Sequence, residues 1–145
     1  MAGCRVGYVI GNSKVIELLG RLKSNFDYGI FNPLQRAAIA ALTGPQQCVT
    51  DTAKQYQRRR DIIVNGLNAM GWCVDKPKAS MYVWAPVPTQ QSSVEFAVDL
   101  LKNTGVAVIP GVAFGQFGEG FVRFALVQPE ERLEEAVKRI KQWLG

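Results

Sequence analysis

Arg123 stands in the middle of an otherwise apolar run, Phe121–Val127. Because its neighbours are all apolar, the run predicts a β-strand with both faces largely buried. A guanidinium keeps its charge, and burying it without a partner is costly, so an anion is expected to meet it. That anion is either an internal Asp or Glu, or a substrate carboxylate, which matches the planar fork of arginine through two hydrogen bonds. The run alone leaves both alternatives open.

The composition restricts the chemistry that the chain can perform. Its 145 residues suit one domain, or one domain and a fragment, and 48% hydrophobic with 20% charged residues is the balance of a globular protein. There is no histidine, which excludes Ser-His and Cys-His catalysis and the commonest zinc ligand. Cys4, Cys48 and Cys73 form no CxxC pair and are expected to be reduced, small buried side chains. Chemistry must therefore use Lys, Arg, Tyr, carboxylates or a cofactor.

The charge pattern favours anionic small molecules over larger partners. The formal net charge is +5, with basic residues concentrated at Arg58–Arg60 and in the last helix. No basic face alternates with aromatic residues, so the Arg58–Arg60 run is interpreted as a solvated helix face and no nucleic-acid partner is expected. No apolar stretch is long enough to span a bilayer, and the segment Met1–Arg5 lacks the layout of a signal peptide. We therefore expect a cytoplasmic location and no membrane partner.

The first 45 residues predict too few elements for a sheet layer. Arg5–Gly11 is typical of a short strand, and Asn12 or Ser13 is placed to cap a helix that follows. A second helix, Leu34–Leu42, is predicted after Asn32 as its cap and Pro33 as its first residue. One strand and two helices cannot form a sheet layer alone. This part of the chain is expected to belong to a larger domain.

Residues from about 46 onward predict a compact α+β module. A long helix over Gln46–Met70 connects the two parts, and Ser92 with Glu95 forms a capping box at the start of another helix. A final amphipathic helix starts at Pro129. Strands are predicted at Trp72–Val74, Met81–Ala85, Val106–Ile109 and Phe121–Val127. Strands and helices in this order suit a small sheet with helices on one face.

Five segments occur in an order that resembles one enzyme family. They are Met1–Tyr8, Phe31–Gln35, Ala79–Trp84, Pro110-Gly111 with Phe114-Gly115, and Phe121–Leu126. Together they closely resemble the C-terminal part of class I/II aminotransferases, the aspartate aminotransferase-like enzymes of fold type I that use pyridoxal 5′-phosphate. The branch that contains LL-diaminopimelate and alanine-type aminotransferases is the most similar. Each motif alone is weak, but the resemblance covers essentially the whole chain.

The resemblance implies a fold, an activity and an assembly. Residues 1–45 correspond to a remnant of the large, cofactor-binding domain. Residues 46–145 correspond to the small C-terminal domain, an α+β unit with a short, mainly antiparallel sheet covered by helices. The implied reaction transfers an amino group between an amino acid and a 2-oxo acid, and a homo-oligomer is expected.

The resemblance also assigns three residues. Arg5 matches the arginine that contacts the phosphate of pyridoxal 5′-phosphate, and Arg123 matches the arginine that holds the α-carboxylate of the substrate. Tyr28 lies in a segment that resembles the loop near the active site across the dimer interface, and is assigned to substrate binding. Met81 and Tyr82 resemble a segment that flanks the substrate. For Tyr28 and for this last pair, ordinary packing is an equally good interpretation.

One family feature is expected to be missing. In the family, the lysine that forms the Schiff base lies a few residues before the arginine that Arg5 matches, whereas Lys14 and Lys23 follow Arg5. No catalytic residue is therefore assigned in the 145-residue sequence, and a chain without that lysine is expected to be inactive alone. Two alternatives stay open: a non-catalytic binding module, and half of a split enzyme completed by a separate N-terminal aminotransferase segment. The upstream coding sequence would distinguish them.

Overall fold

The computed structural model describes residues 2–145, except for the side chain of Ala2. The chain divides into two compact units, one that runs up to Cys48 and one that comprises Val49–Gly145. We call them the N-terminal unit and the C-terminal unit. Among the described residues, no helix is both long and apolar enough to cross a membrane. The assignment of 1–45 and 46–145 to the large and small domains of an enzyme stays a prediction.

The N-terminal unit consists of a 3-10 turn, Ala2–Cys4, and two helices, α1 (Ser13–Phe26) and α2 (Asn32–Thr43). Asn12 caps α1 as predicted, because its side-chain oxygen accepts a hydrogen bond from the backbone N–H of Lys14 at 3.0 Å. The strand predicted at 5–11 is not formed. A strand needs a neighbour for its backbone hydrogen bonds, and the described residues of this unit offer no second strand.

Two details of the N-terminal unit differ from the prediction or extend it. Asn32 is the first residue of α2 instead of its cap, and Phe31 occupies the cap position without a side-chain hydrogen bond. Neither helix contains a buried residue. The apolar side chains of α1 are exposed, namely Val15, Leu18, Leu19, Leu22 and Phe26. Their spacing places them along one side of the helix, which leaves an uncovered apolar stripe.

The C-terminal unit contains most of α3 and a three-stranded antiparallel sheet. Its elements are α3 (Gln47–Ala69), β1 (Tyr82–Pro86), α4 (Ser93–Thr104), β2 (Ile109–Pro110), β3 (Phe121–Ala125) and α5 (Glu130–Leu144). The strand order is β1-β3-β2, so β3 is the central strand. Arg123 lies opposite Trp84 of β1 on one side and opposite Ile109 of β2 on the other. The predicted α+β fold with a short antiparallel sheet is therefore confirmed.

The core lies on one face of this sheet. Val83 and Ala85 of β1 and Val122 and Phe124 of β3 point to it, and all four are buried. Three helices supply further core residues, among them Ile63, Val64, Leu67, Phe96, Leu100, Leu133 and Ile140. Trp72 joins this cluster with its ring edge-on to Phe96 and Phe124. Its indole N–H donates to the carbonyl of Pro86 at 2.6 Å, which fixes the end of β1.

The strand at Trp72–Val74 was predicted wrongly. The amide of Asn68 takes the place of a neighbouring strand there. It accepts from the N–H of Val74 at 2.7 Å and donates to the carbonyl of Val74 at 3.1 Å. Both backbone groups of Val74 thus bond to one side chain, and the segment remains outside the sheet.

Two other predicted strands are shorter in the structure. The strand expected at Val106–Ile109 is reduced to Ile109–Pro110, and that expected at Phe121–Val127 ends at Ala125. The capping box at α4 is confirmed, because Ser92 and Glu95 exchange the hydrogen bonds that define it. Glu95 consequently has a lowered pKa, mainly from the hydroxyl of Ser92 and then from its backbone N–H.

The Arg58–Arg60 run is a solvated face only in part. Arg58 is exposed and pairs with Glu130 at 2.8 Å. Arg59 is half-buried and donates to the carbonyl of Leu126 at 3.1 Å, over the ring of Tyr56. Arg60 is also half-buried and is shared between the neighbouring Asp61 and the carbonyl of Pro77. The run is interpreted wrongly for these two residues because a helix turns them toward the module instead of toward water.

Candidate functional site

Aromatic side chains cover the sheet face opposite the core. Because side chains alternate along a strand, β1 presents Tyr82 and Trp84 there, and β3 presents Phe121 and Arg123. Trp84 stacks on Phe121, with ring centroids 5.7 Å apart and planes at 21°. Phe114, from the loop after β2, meets Trp84 edge-on at 5.8 Å. We call Tyr82, Trp84, Phe114 and Phe121 the outer aromatic face.

Arg123 lies within the outer aromatic face. Its Cζ atom is 4.1 Å from the centroid of the Tyr82 ring and 4.4 Å from that of Phe114, which is cation–π geometry. The strand is buried on one face only, since Phe121 and Arg123 remain half-buried while Val122 and Phe124 are in the core. The expectation that both faces are buried is therefore wrong, because the helices pack against one side of the sheet.

No carboxylate of the described residues 2–145 pairs with Arg123. The structure shows neither an ion pair nor a hydrogen bond of its guanidinium, and the Nε atom is completely covered without a partner. A covered cation with an unused donor is costly unless an anion or water satisfies it. Of the two alternatives that the sequence left open, the internal Asp or Glu is thus not found in this part of the chain.

The loop between β2 and β3 holds Phe114 in place. It consists of two 3-10 turns, Gly111–Phe114 and Gln116–Gly118, joined at Gly115 with φ +117°. The turns touch at two glycines, since a Cβ atom added to Gly111 would lie 2.0 Å from the carbonyl oxygen of Gly118. Only glycine permits this approach, which folds the loop back on itself and places the Phe114 ring over Arg123.

Glu119 ties the end of this loop to the start of α4. Its carboxylate accepts from the backbone N–H of Ser93 at 2.7 Å and from the Ser93 hydroxyl at 2.9 Å. These bonds lower the pKa of Glu119, with the backbone N–H as the larger cause. An anion at a helix N-terminus is also favoured by the helix dipole.

The assigned residues of the N-terminal unit are open to solvent. Arg5 is exposed and has φ +52°, and no hydrogen bond or ion pair of its side chain is found in the described residues. Tyr28 has φ +54° and is 95% exposed, in a turn where the N–H of Gly29 donates to Asp27. Lys23 also bonds to Asp27 and lowers its pKa. Both assigned side chains are thus available to a ligand.

The structure places Tyr82, which the resemblance had suggested, in contact with Arg123, and it shows Phe114 as a further residue of the site. Tyr82, which lies in a segment that resembles one flanking the substrate, contacts Arg123, whereas the carbonyl of Met81 accepts a hydrogen bond from the N–H of Leu126. Phe114 was part of a motif but was given no role. The alternation of Tyr82 with Trp84, and of Phe121 with Arg123, is the signal that places them on one face. In the described residues, no group of three or more Cys, Asp or Glu side chains is placed to hold a metal ion.

Comparison with known proteins supports the resemblance over nearly the whole chain. The family model of aminotransferase class I and II matches residues 1–140. The glutamate-pyruvate aminotransferase AlaC of Escherichia coli is 52% identical over 97% of this chain and 35% of its own length. An LL-diaminopimelate aminotransferase of Moorella thermoacetica is 49% identical over all of this chain and 37% of its own. The chain thus spans a little over a third of these relatives.

A solved structure supports the fold. The aromatic aminotransferase from Pyrococcus horikoshii superposes with a TM-score of 0.88 at 35% identity, over 99% of this chain and 39% of that one. Its similarity extends over both the helical N-terminal unit and the mixed α+β C-terminal unit. The sequence match, the family model and the fold agree, and the chain belongs to the class I and II aminotransferases.

Proposed function

We propose that this chain supplies the substrate-carboxylate site, and part of the cofactor-phosphate site, of an enzyme that transfers an amino group between an amino acid and a 2-oxo acid. The observation that carries the proposal is the unpaired guanidinium of Arg123. Membership in the family gives the reaction class, and the free fork gives this chain a part in it.

Arg123 is suited to bind a carboxylate. A guanidinium group is a permanent cation in proteins, and its planar donors match the two oxygens of a carboxylate. Amino acids and 2-oxo acids share this group, so one arginine serves both halves of a transamination. Half-burial on an aromatic surface reduces the competition from water and strengthens the charge-assisted hydrogen bonds. Arg123 therefore orients the substrate by its α-carboxylate.

Arg5 fits the cofactor phosphate. Its exposed fork has no protein partner in the described residues, and a phosphate is the anion that such a fork binds most strongly. Pyridoxal 5′-phosphate, when bound, supplies the electron sink that stabilises negative charge at the substrate Cα. Tyr28, whose side chain is almost fully exposed, is proposed to contact the substrate. No residue of this chain is proposed to transfer a proton.

The proposal is tested by titrating the 145-residue chain with pyruvate and following backbone and arginine side-chain resonances by NMR. We expect saturable shifts centred on β3 and the Arg123 side chain. Arg123→Gln keeps a polar side chain but removes the charge and the guanidinium fork, and it should abolish these shifts. The matched control is Arg132→Gln, which removes an exposed arginine of α5 and should leave the titration unchanged.

Two outcomes would contradict the proposal. Pyruvate shifts that persist in Arg123→Gln would place the carboxylate site elsewhere in the chain. A folded wild-type chain whose β3 resonances do not respond to pyruvate at tens of millimolar would remove the carboxylate role of Arg123.

A further inference from the structure

Arg123 is approached by two aromatic rings, one from the neighbouring strand β1 and one from the loop after β2. The strand order β1-β3-β2 puts Tyr82 on one side of Arg123 and the loop with Phe114 on the other. Tyr82 lies opposite Ala125, two residues along from Arg123, which is the diagonal position that an aromatic side chain can span. The two rings lie 4.1 Å and 4.4 Å from the Cζ atom. The flat guanidinium is thus bordered by two separate ring faces.

This arrangement favours one approach for an anion. Two ring centroids lie 4.1 Å and 4.4 Å from the Cζ atom, and the Nε atom at the inner end of the guanidinium is completely covered. The terminal nitrogens, Nη1 and Nη2, do not belong to that covered set. A carboxylate therefore reaches the guanidinium in its own plane and at its outer end, where two parallel N–H···O bonds form.

We propose that Tyr82 and Phe114 are positioning residues, which hold the Arg123 fork before the substrate arrives so that a carboxylate binds end-on at Nη1 and Nη2. The inference rests on the proposed carboxylate role of Arg123 and adds the groups that orient it. A free arginine side chain has several rotatable bonds, and fixing them on binding reduces affinity. Two rings in contact with the guanidinium fix them beforehand.

Each ring is itself held by the fold. Tyr82 is the first residue of β1, and its backbone N–H donates a hydrogen bond to the hydroxyl oxygen of Ser80 at 3.2 Å. Phe114 is fixed by the Gly111–Gly118 contact and by the Glu119 bonds to Ser93. Its ring also rests edge-on against Trp84, which lies directly opposite Arg123 in the sheet. The surroundings of the guanidinium are therefore built by elements outside β3.

The test uses pyruvate titrations of the 145-residue chain by NMR. Tyr82→Leu and Phe114→Leu remove one ring each and keep an apolar side chain. By the usual strength of cation–π contacts, we expect each to weaken pyruvate binding about two- to fivefold. Tyr82→Phe keeps the ring face and should bind as the wild type does. The matched control is Phe117→Leu, because Phe117 lies in the same loop but is 92% exposed.

A second measurement reads the position of the fork directly. In the wild-type chain without ligand, the Nε–H proton of Arg123 should be displaced upfield by the ring currents, and its Nη protons should be resolved by restricted rotation. Both signatures should diminish in the two leucine variants and persist in Tyr82→Phe and Phe117→Leu. A merely structural role of the rings would not move them selectively.

The outcomes separate this inference from the proposed function. If pyruvate binds through Arg123 and both leucine variants bind as tightly as the wild type, the positioning role is wrong and the carboxylate role stands. If pyruvate shifts do not depend on Arg123, the proposed function itself fails. If a leucine variant does not fold, the wild-type spectrum decides, because averaged Nη signals and an Nε–H at its ordinary position would overturn the inference.

Discussion

The carboxylate of Glu119 accepts two hydrogen bonds from Ser93, one from its backbone N–H and one from its hydroxyl. Ser93 is the first residue of α4 and is fully buried, whereas Glu119 closes the loop that carries Phe114. The pair therefore connects the helical layer of the C-terminal unit to the outer aromatic face. A contact between two residues that are 26 positions apart in the sequence thus helps to set the position of the Phe114 ring over Arg123.

Glu119→Gln should make the C-terminal unit less stable, and the loss should depend on pH. The pKa of Glu119 is lowered from 4.5 by its bonds to Ser93. The charged form therefore stabilises the folded state above the ordinary pKa, and this contribution is lost as pH falls through the lowered value. We expect the melting temperatures of variant and wild type to differ at pH 7 and to converge as the pH falls below 4.5 and through the lowered pKa. Thermal unfolding followed by circular dichroism measures this.

The control for Glu119 is Glu134→Gln, which removes an exposed carboxylate of α5 for which no side-chain bond is seen in the described residues. This variant should melt as the wild type does at both pH values. A constant difference between Glu119→Gln and wild type across the whole pH range would show that charge at Glu119 does not matter.

Gly111→Ala should disrupt the loop that carries Phe114. The added methyl group would lie 2.0 Å from the carbonyl oxygen of Gly118, a backbone atom that cannot rotate away. We expect a loss of about 1–3 kcal/mol in the free energy of unfolding, as for other overpacked sites. The ring-current displacement of Arg123 should diminish at the same time. Denaturant titration and NMR measure the two effects.

Gly20→Ala serves as the opposite control. Gly20 lies inside α1, and a Cβ atom there would meet no atom within 4 Å. Alanine favours a helix interior over glycine by about 0.5–1 kcal/mol, so α1 should become more stable. If Gly111→Ala left the free energy of unfolding and the Arg123 resonance unchanged, the contact with Gly118 would not hold the loop.

Self-association is expected through the N-terminal unit. The apolar stripe of α1 is exposed, with Leu18 at 64% and Leu22 at 57% of their full accessibility. Exposed apolar stripes of this kind attract partners. We predict a homodimer or higher oligomer in sedimentation velocity, which the double variant Leu18→Lys/Leu22→Lys should shift toward the monomer. The control, Val98→Lys on α4, alters an exposed apolar residue of the other unit. A wild-type chain that sediments as a monomer at high concentration would contradict the prediction.

Local chemistry predicted the helices better than the strands. The Ser92–Glu95 capping box depends on residues three apart, so its signal is complete in the sequence. The segment that ends at Val74 is apolar enough for a strand, but its hydrogen bonds go to the Asn68 amide, a side chain whose competition no periodicity shows. Pairing between distant segments decides where a strand forms, and short apolar runs do not carry that information.

The candidate site shows the same limit. Arg123 could be singled out because a charge in an apolar run needs a partner. The residues around Arg123 could not be predicted in the same way, since Tyr82 contacts it from β1 and Phe114 from the loop after β2. Arg59 and Arg60 were interpreted as solvated because three consecutive arginines are usually exposed. In the structure, the carbonyl of Leu126 accepts a hydrogen bond from Arg59, and the carbonyl of Pro77 accepts one from Arg60. Long-range contacts with backbone carbonyls have no sequence signature.

The 145-residue polypeptide by itself is predicted not to transaminate. The resemblance places the cofactor lysine before the counterpart of Arg5, and neither remaining candidate in the N-terminal unit suits the role. Lys23 is already bonded to Asp27, and Lys14 is exposed at the start of α1. Incubation with pyridoxal 5′-phosphate, alanine and 2-oxoglutarate should yield no glutamate above a no-protein control. Glutamate production that is lost in Lys14→Ala or Lys23→Ala would contradict this prediction, because it would show that another lysine supports transamination.

Activity is predicted to appear when the N-terminal part of a relative is supplied in trans. A suitable complement is the N-terminal part of the E. coli relative, which is 52% identical over the shared region. Glutamate formation by the mixture should fall about a hundredfold or more with Arg123→Gln, because the substrate carboxylate loses a charge-assisted, two-bond contact worth about 3 kcal/mol or more. Arg5→Gln should instead raise the concentration of pyridoxal 5′-phosphate needed for half-maximal activity. Arg132→Gln should change neither quantity. If the mixture were active and Arg123→Gln had no effect on it, the carboxylate would be held by another residue, even though the chain belongs to this family.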